Sequence, residues 1–236
     1  VAGDVDHDLV VKLIDKSLGR SRKNGKLSRI RRIKPKYRPF TEVRARPSEQ
    51  VHILVGVPSG SFKDPLRFES YIVNALLGGG MTSRLYQKVR EERGLVYSIY
   101  SQLQSFTDSG LMMVYAGASE KNAPKVLSVM YKELKRLIDK SLGKRDLEFF
   151  KTQVKGAILL GSDDMESRMN SIAVNEIVFG EYKPVDEIID QIDRITLNSI
   201  HQYLHTYFNL KEACVMLMGD LNEEIGKNWV KECFRE

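Results

Sequence analysis

The sequence predicts an α+β fold in which one mixed, mostly antiparallel sheet is covered by helices. Strand-like apolar runs lie before residue 60, around a hairpin near residue 107 and again near the end of the chain. Residues 123–208, by contrast, carry helical patterns interrupted by glycines and a proline. Strands and helices that are segregated along a chain in this way are typical of layered α+β domains.

The individual elements follow from local signals. A helix begins after Asp6, a good N-terminal cap, and ends at Gly19; residues 1–4 before it look like the end of a strand. Strand-forming residues and alternating patterns mark the strands, and Pro65 begins the second helix. The expected elements after the first helix are strands at 41–46 and 51–57, helices at 65–77 and 82–93, a hairpin of strands at 96–106 and 110–118, helices between 123 and 208, and a last strand at 213–218 before a terminal helix.

The composition excludes several protein classes. Of the 236 residues, 42% are hydrophobic and 29% charged, which are ordinary values for a globular protein. No stretch approaches the roughly 18 uninterrupted apolar residues of a membrane span, so no membrane partner is expected. The two cysteines, Cys214 and Cys233, are too few for a scaffold held together by disulfides.

The net charge of +6 comes from one segment of the chain. Residues 20–46 hold twelve basic side chains and one acidic one, Glu42, whereas the rest of the chain carries a net charge of −5. Prolines, a glycine and few apolar residues up to Arg38 indicate an exposed linker. The segment offers only Tyr37 and Phe40 for stacking on bases, so no nucleic-acid partner is expected.

A short repeat relates the two ends of the chain. The residues after Gly3-Asp4 match those after Gly219-Asp220 at a constant offset of 216 positions, and a helix is expected after each pair. This match indicates one complete module preceded by the last strand and helix of another. The predicted organisation is 1–19 as the tail of a preceding half, 20–40 as a basic linker and 41–236 as a second half.

His201 and His205 are the candidates for metal ligands by residue type. Their i, i+4 spacing places both on one helix face, which is a usable metal geometry. No glutamate completes a catalytic HxxEH pattern, and Tyr203, Leu204 and Tyr207 indicate a packed amphipathic helix instead. We therefore predict no metal site in this chain.

Three glycines precede the helix expected at 82–93. They follow a helix rather than a strand and lack the pattern of a phosphate-binding loop, so a helix stop is the simpler interpretation. A glycine loop also allows an extended peptide to approach closely. The glycines are Gly78, Gly79 and Gly80; the helix after them has a buried stripe of Leu85, Tyr86 and Val89 and a charged face of Arg84, Lys88 and Glu92 that pairs at i, i+4.

The stretch GGGMTSRLYQKVREERGLVYS at residues 78–98 resembles the signature of the noncatalytic half of pitrilysin-type zinc metallopeptidases. This family includes insulin-degrading enzyme, mitochondrial processing peptidase and many bacterial zinc proteases. VAGDVDHDLVVKLI resembles the end of the catalytic half, EQVHILVGVPSGSFKDP the opening strand of the second half, and VMLMGDLNEE its close. The resemblance therefore runs across most of the chain.

The resemblance implies two similar halves joined by a linker, with zinc held in the first half by an HxxEH helix and a downstream glutamate. This chain lacks HxxEH, so it looks like the second half, without a cofactor of its own and inactive alone. The implied partners are the N-terminal catalytic half of the same polypeptide, which would hold the zinc, and peptide substrates. A homo- or hetero-dimer is a further expectation.

The resemblance also implies the residues that contact substrate. An arginine and a tyrosine seven positions apart correspond to Arg90 and Tyr97, with Gly94 making the turn between helix and strand. Tyr97 would donate its hydroxyl to the scissile carbonyl as negative charge develops, and Arg90 would hold a substrate carbonyl. The glycines at 78–80 would lie near the rim of the substrate chamber.

Two functional interpretations stay open. The first is the substrate-contacting half of an endopeptidase, and the second is a noncatalytic structural or assembly subunit of the same fold. The presence of both Arg90 and Tyr97 favours the first. Without the resemblance, the residue pattern indicates only a surface ion pair for Arg90 and a half-buried aromatic side chain on a strand for Tyr97. Localisation is not indicated, and a cytoplasmic site is only the default, because a signal peptide would precede Val1.

Overall fold

Five strands form one sheet in the computed structural model, which describes residues 1–19, 33–140 and 142–234. The strands are β1 (Thr41–Ala45), β2 (Val51–Ser59), β3 (Val96–Ser105), β4 (Gly110–Ala118) and β5 (Cys214–Gly219). Their order across the sheet is β1-β5-β2-β4-β3. β1 pairs with β5 in parallel, and the other neighbours are antiparallel. The prediction of a mixed, mostly antiparallel sheet is confirmed.

Helices fill most of the remaining described chain. They are α1 (His7–Leu18), α2 (Arg67–Leu77), α3 (Ala123–Lys140), α4 (Lys144–Asp163), α5 (Met165–Phe179), α6 (Val185–Asp193), α7 (Leu197–Tyr207) and α8 (Glu223–Phe234), with a π-helical turn at Tyr86–Glu91 and a 3₁₀ turn at Leu210–Glu212. The helical segment expected between 123 and 208 is thus confirmed as α3 to α7. No helix of the described residues is long and apolar enough to cross a membrane.

The two faces of the sheet differ because side chains alternate along each strand. In β2, for example, Ile53 and Val55 are buried, whereas His52 and Leu54 are only partly covered. The buried side chains join residues of α2, α3, α7 and α8 in one hydrophobic core. We call the other side the open face, which carries His52, Leu54, Tyr100, Gln102, Leu111, Met113, Tyr115, Cys214, Met216 and Met218.

Helix α7 is fixed to the sheet by a buried tyrosine. The Tyr203 side chain is fully buried, and its hydroxyl lies 2.7 Å from the Ser59 hydroxyl at the end of β2. Burial raises the pKa of Tyr203 above its ordinary value, so the phenol stays neutral. The amphipathic helix predicted around Tyr203 and Leu204 is therefore confirmed.

The N-terminal helix α1 forms as expected and is largely exposed within the described residues. Asp6 caps it by accepting a hydrogen bond from the Leu9 backbone N–H at 2.8 Å. None of its residues is buried, and Leu9 and Leu13 are each 55% exposed. Residues 1–4 form no strand, because none of the described strands pairs with them. The domain boundaries stay a prediction, and residues 20–32 of the predicted linker lie outside the described residues.

The described end of the predicted linker is anchored to the sheet. Residues 33–40 have no regular secondary structure, but the Tyr37 hydroxyl donates to the Glu212 carbonyl at 2.7 Å and accepts from the Cys214 N–H at 3.1 Å. The same hydroxyl lies 3.3 Å from the Gly56 carbonyl. The prediction of an exposed linker therefore misses the anchoring of Tyr37 to the sheet. A single aromatic residue in a charged segment gives no sequence periodicity from which such a contact could be predicted.

We predict that Tyr37→Phe lowers the free energy of unfolding by about 1–3 kcal/mol, because the Cys214 N–H and the Glu212 carbonyl lose a shared partner. The measurement is urea denaturation followed by circular dichroism. Tyr131→Phe is the matched control, since that hydroxyl makes no hydrogen bond within the described residues. Equal stability of the two variants would show that the Tyr37 hydroxyl does not anchor the segment.

Candidate functional site

The segment that leads to the candidate site is a π-helical turn rather than the ordinary helix expected over 82–93. Leu85 and Val89 are fully buried and hold the turn against the core. Lys88 and Glu92 form the expected i, i+4 ion pair at 2.5 Å. The expected pairing of Arg84 on the same face is wrong, because Arg84 reaches Asp146 of α4 at 3.4 Å instead. Isolated π-helical turns are rare and occur frequently at functional sites.

Gly94 reverses the chain between this turn and β3. Its φ of +57° lies in the left-handed region, which glycine adopts without strain. The Gly94 N–H donates to the Arg90 carbonyl and the Leu95 N–H to the Val89 carbonyl, both at 3.0 Å. The predicted turn at Gly94 is therefore confirmed.

Tyr97 lies at an irregularity of β3. Val96 pairs with Ala118 and Ser98 with Gly117, so Tyr97 is the extra residue of a β-bulge. Its side chain is 78% exposed. The pattern-based interpretation of Tyr97 as a half-buried strand aromatic is wrong, because the bulge removes this residue from the alternation of the strand.

The structure brings Arg90 and Tyr97 together. The Arg90 guanidinium carbon lies 5.6 Å from the centre of the Tyr97 ring and 4.9 Å from that of Tyr86. Both distances are within the range of cation–π contacts. Within the described part of the chain Arg90 makes no ion pair, so its partners are aromatic rather than acidic. Sequence reasoning placed Tyr86 in the buried stripe and missed this contact.

The three glycines have different environments. Gly78 is buried at the end of α2, and a Cβ atom there would lie 2.4 Å from the Ser101 backbone nitrogen. A Cβ at Gly79 would lie 2.8 Å from the Ala75 Cα, whereas the nearest atom at Gly80 is the end of the Gln153 side chain, at 3.5 Å. Gly78 and Gly79 therefore have a packing role, and the proximity of all three to a substrate chamber stays a prediction.

The candidate metal ligands His201 and His205 contact each other on the exposed side of α7. Their Nε2 atoms lie 2.9 Å apart, a distance that a hydrogen bond between the two rings accounts for. Among residues 1–19, 33–140 and 142–234 there is no group of three or more histidine, cysteine or acidic residues that fits a metal ion. The described residues therefore do not fit a zinc site.

Comparison with known proteins settles the family. Residues 1–154 match the family model described as the peptidase M16 inactive domain. This chain belongs to the peptidase M16 family. The resemblance to the noncatalytic half of zinc metallopeptidases, found in the sequence, is thereby confirmed.

Sequence relatives in the same family are named zinc proteases. An uncharacterized zinc protease of Mycobacterium leprae is 32% identical over 225 residues, which cover 92% of this chain and 49% of that protein. The uncharacterized zinc protease YmxG of Bacillus subtilis is 29% identical, covering 92% of this chain and 52% of that protein. The chain therefore spans about half the length of the curated relatives it matches.

Solved structures agree on the fold. A protease from Helicobacter pylori superposes with a TM-score of 0.80 at 17% identity, over 92% of this chain and 54% of that one. The peptidase M16 inactive domain from Pseudomonas fluorescens gives a TM-score of 0.78 at 17% identity, over 93% and 53% of the two chains. The chain is thus an inactive C-terminal domain of the M16 family, homologous to proteins named zinc proteases.

We predict that Gly78→Ala destabilises the domain by about 1–3 kcal/mol, because backbone atoms of β3 leave no room for a methyl group. Gly80→Ala is the matched control and changes stability little, since only the end of a flexible side chain lies nearby. Thermal unfolding of both variants provides the measurement. A Gly78→Ala variant as stable as the parent would contradict the close packing of α2 on β3.

Proposed function

We propose that this chain is the substrate-contacting half of a zinc-dependent endopeptidase, to which it contributes Arg90 and Tyr97. The observation that carries the proposal is the contact between the Arg90 guanidinium and the exposed Tyr97 ring, at the junction of a π-helical turn and a β-bulge. Two side chains from different elements thus converge on one accessible point. A domain that serves only as a scaffold does not require an exposed tyrosine there.

Tyr97 is suited to stabilise negative charge. Its hydroxyl makes no hydrogen bond within the described residues, and the side chain is accessible. A peptide bond under nucleophilic attack develops negative charge on its carbonyl oxygen, and a fixed hydroxyl donor lowers the free energy of that transition state. We assign this donation to Tyr97.

Arg90 is suited to orient the substrate. Its guanidinium has several N–H donors in one plane, and its contacts within the described residues are with the Tyr86 and Tyr97 rings rather than with an acidic side chain. These N–H groups remain able to donate to a peptide carbonyl. Holding the peptide in this way places the scissile bond beside Tyr97.

We place the zinc and the activation of water in a separate catalytic half, which would be the N-terminal part of the same polypeptide. Three observations support this assignment. The relatives named zinc proteases are about twice as long as this chain, and the described residues do not fit a zinc site. The uncovered apolar side of α1 fits a helix that packs on that half.

We predict that Tyr97→Phe in the full-length parent protein lowers kcat for peptide cleavage about 100- to 1000-fold with little change in KM, because a transition-state donor is lost. The measurement is steady-state cleavage of a fluorogenic peptide. Tyr182→Phe, another exposed tyrosine, is the control and retains parental kinetics. Undiminished kcat in Tyr97→Phe would overturn this role, and a parent without peptidase activity would favour the assembly-subunit alternative.

A second prediction concerns Tyr86. Tyr86→Leu removes one of the two rings that contact Arg90, so KM rises about two- to five-fold, the equivalent of a cation–π contact. Tyr86→Phe retains the ring and is expected to match the parent. The check is to measure KM for the Arg90→Ala variant with and without Tyr86→Leu. Because Tyr86 acts through Arg90, we expect the second substitution to leave the KM of Arg90→Ala unchanged. A full effect in that background would show that Tyr86 does not act through Arg90.

A further inference from the structure

A cleft of ≈ 730 Å³ lies on the open face, between residues 34–38 and the ends of β2, β4 and β5. This volume is within the range of pockets that bind small molecules or parts of larger ligands. The side chains that form its floor are Leu54, Leu111, Met113, Cys214 and Met216.

The apolar floor is unusual for the uncovered face of an antiparallel sheet, which is commonly polar where it meets water. Leu54, Met113 and Met216 are all only partly buried. A concave, mostly apolar lining of this kind is typical of ligand-binding sites. Methionine side chains are flexible and polarizable, so the floor can adapt to bulky apolar groups of different shapes.

One wall of the cleft is basic. Lys34, Lys36 and Arg38 line it, and none of them forms an ion pair within the described residues. Two acidic residues, Asp64 and Asp108, also line the cleft, and both already accept hydrogen bonds: Asp64 from the Leu66 N–H and the Tyr207 hydroxyl, and Asp108 from the Ser109 hydroxyl. The wall is therefore complementary to a carboxylate that lies next to an apolar group.

The basic wall is held in place. The Tyr37 hydroxyl contacts Gly56 of β2, Glu212 and Cys214 at the start of β5, and the Cys214 thiol lies 3.6 Å from the Arg38 carbonyl. A backbone segment that is already ordered loses less conformational freedom when a ligand enters, so the cost of binding falls mainly on the exposed side chains of Lys34, Lys36 and Arg38.

The cleft lies at a defined distance from Tyr97. Met113 and Leu111 in its floor pair with Gln102 and Gln104 of β3, five and seven residues after Tyr97. At about 3.3 Å per residue, the cleft is about 20 Å from Tyr97 along the sheet, which an extended peptide covers in about six residues.

We propose that this cleft is a specificity subsite for the peptide substrate, which accepts a bulky apolar side chain next to a carboxylate about six residues from the scissile bond. The proposal rests on the function proposed above, because Tyr97 defines the position of the scissile bond. The apolar side chain enters the floor formed by Leu54, Met113 and Met216. The carboxylate of the neighbouring residue pairs with the basic wall.

The test uses the full-length parent protein with its metal removed by chelation, so that peptides bind without cleavage. The probes are fluorescent versions of one peptide whose cleavage site has been mapped by mass spectrometry. They carry Leu-Glu, Leu-Lys or Ser-Ser at the position about six residues from that site. Fluorescence anisotropy gives the dissociation constants. The Leu-Glu peptide is expected to bind at least about ten-fold more tightly than the Ser-Ser peptide, with Leu-Lys between them.

Variants of the floor identify the site of the effect. Met216→Glu removes the preference for Leu-Glu, whereas Met169→Glu on α5, outside the cleft, retains it. Alkylation of Cys214 in a Cys233→Ser background also removes the preference, and this measurement does not depend on the folding of Met216→Glu. Equal affinity for the three peptides, or a preference that survives both changes, would overturn the subsite.

The outcome is separable from that of the proposed function. Binding is measured without cleavage, so a loss of preference in Met216→Glu supports the cleft whatever the role of Tyr97. A large loss of kcat in Tyr97→Phe together with equal affinities for all three peptides would retain the proposed function and reject the subsite.

Discussion

Burial of one face of β2 is the constraint on which the rest of the structure depends. β2 pairs with β4 on one side and β5 on the other, and its residues Ile53, Val55 and Val57 lie in the core under the helices. A shift of register by one residue would move these side chains to the other face. The same constraint fixes α7 through the Tyr203 contact with Ser59, and it leaves the side chains on the opposite side of the sheet only partly covered within the described residues.

The candidate site lies where this regular packing ends. Leu85 and Val89 anchor the π-helical turn in the core, and Gly94 directs the chain into the bulged start of β3. Arg90 and Tyr97 therefore project from irregular backbone that is supported by regular elements. Their mutual contact is worth only about 0.5–1 kcal/mol at an exposed site. The contact alone therefore does little to hold the two side chains, and the backbone that carries Arg90 is held by the buried Leu85 and Val89.

The sequence predicts much of the fold because hydrophobic periodicity and caps are local signals. The helices between 123 and 208, the hairpin of β3 and β4, and the helix after Asp6 are all in the structure at nearly the expected positions. The strand expected at residues 1–4 is not formed, since a strand depends on a partner and not on its own residues alone. The start of α2 is also later than Pro65, because Asp64 accepts a hydrogen bond from the Leu66 N–H and delays the helix.

The geometry of the candidate site was harder to predict from the sequence than the fold. Family resemblance indicated Arg90 and Tyr97 as candidate substrate-contacting residues, which stays a prediction, but periodicity assigned Tyr97 to a regular strand and Tyr86 to the core. A π-helical turn and a β-bulge each shift the register by one residue, and no residue pattern in this segment marks either of them. The anchoring of Tyr37 and the cleft on the open face depend on contacts between residues far apart in sequence.

The most direct test of the central claim, that Tyr97 contacts the scissile region of a peptide, is photocrosslinking from position 97. A photoreactive phenylalanine derivative in place of Tyr97 in the full-length parent would be irradiated with a bound, uncleaved peptide, and the crosslinks mapped by mass spectrometry. The account predicts crosslinks to the residues that flank the cleavage site. Crosslinks confined to distant parts of the peptide, or to the protein itself, would contradict it.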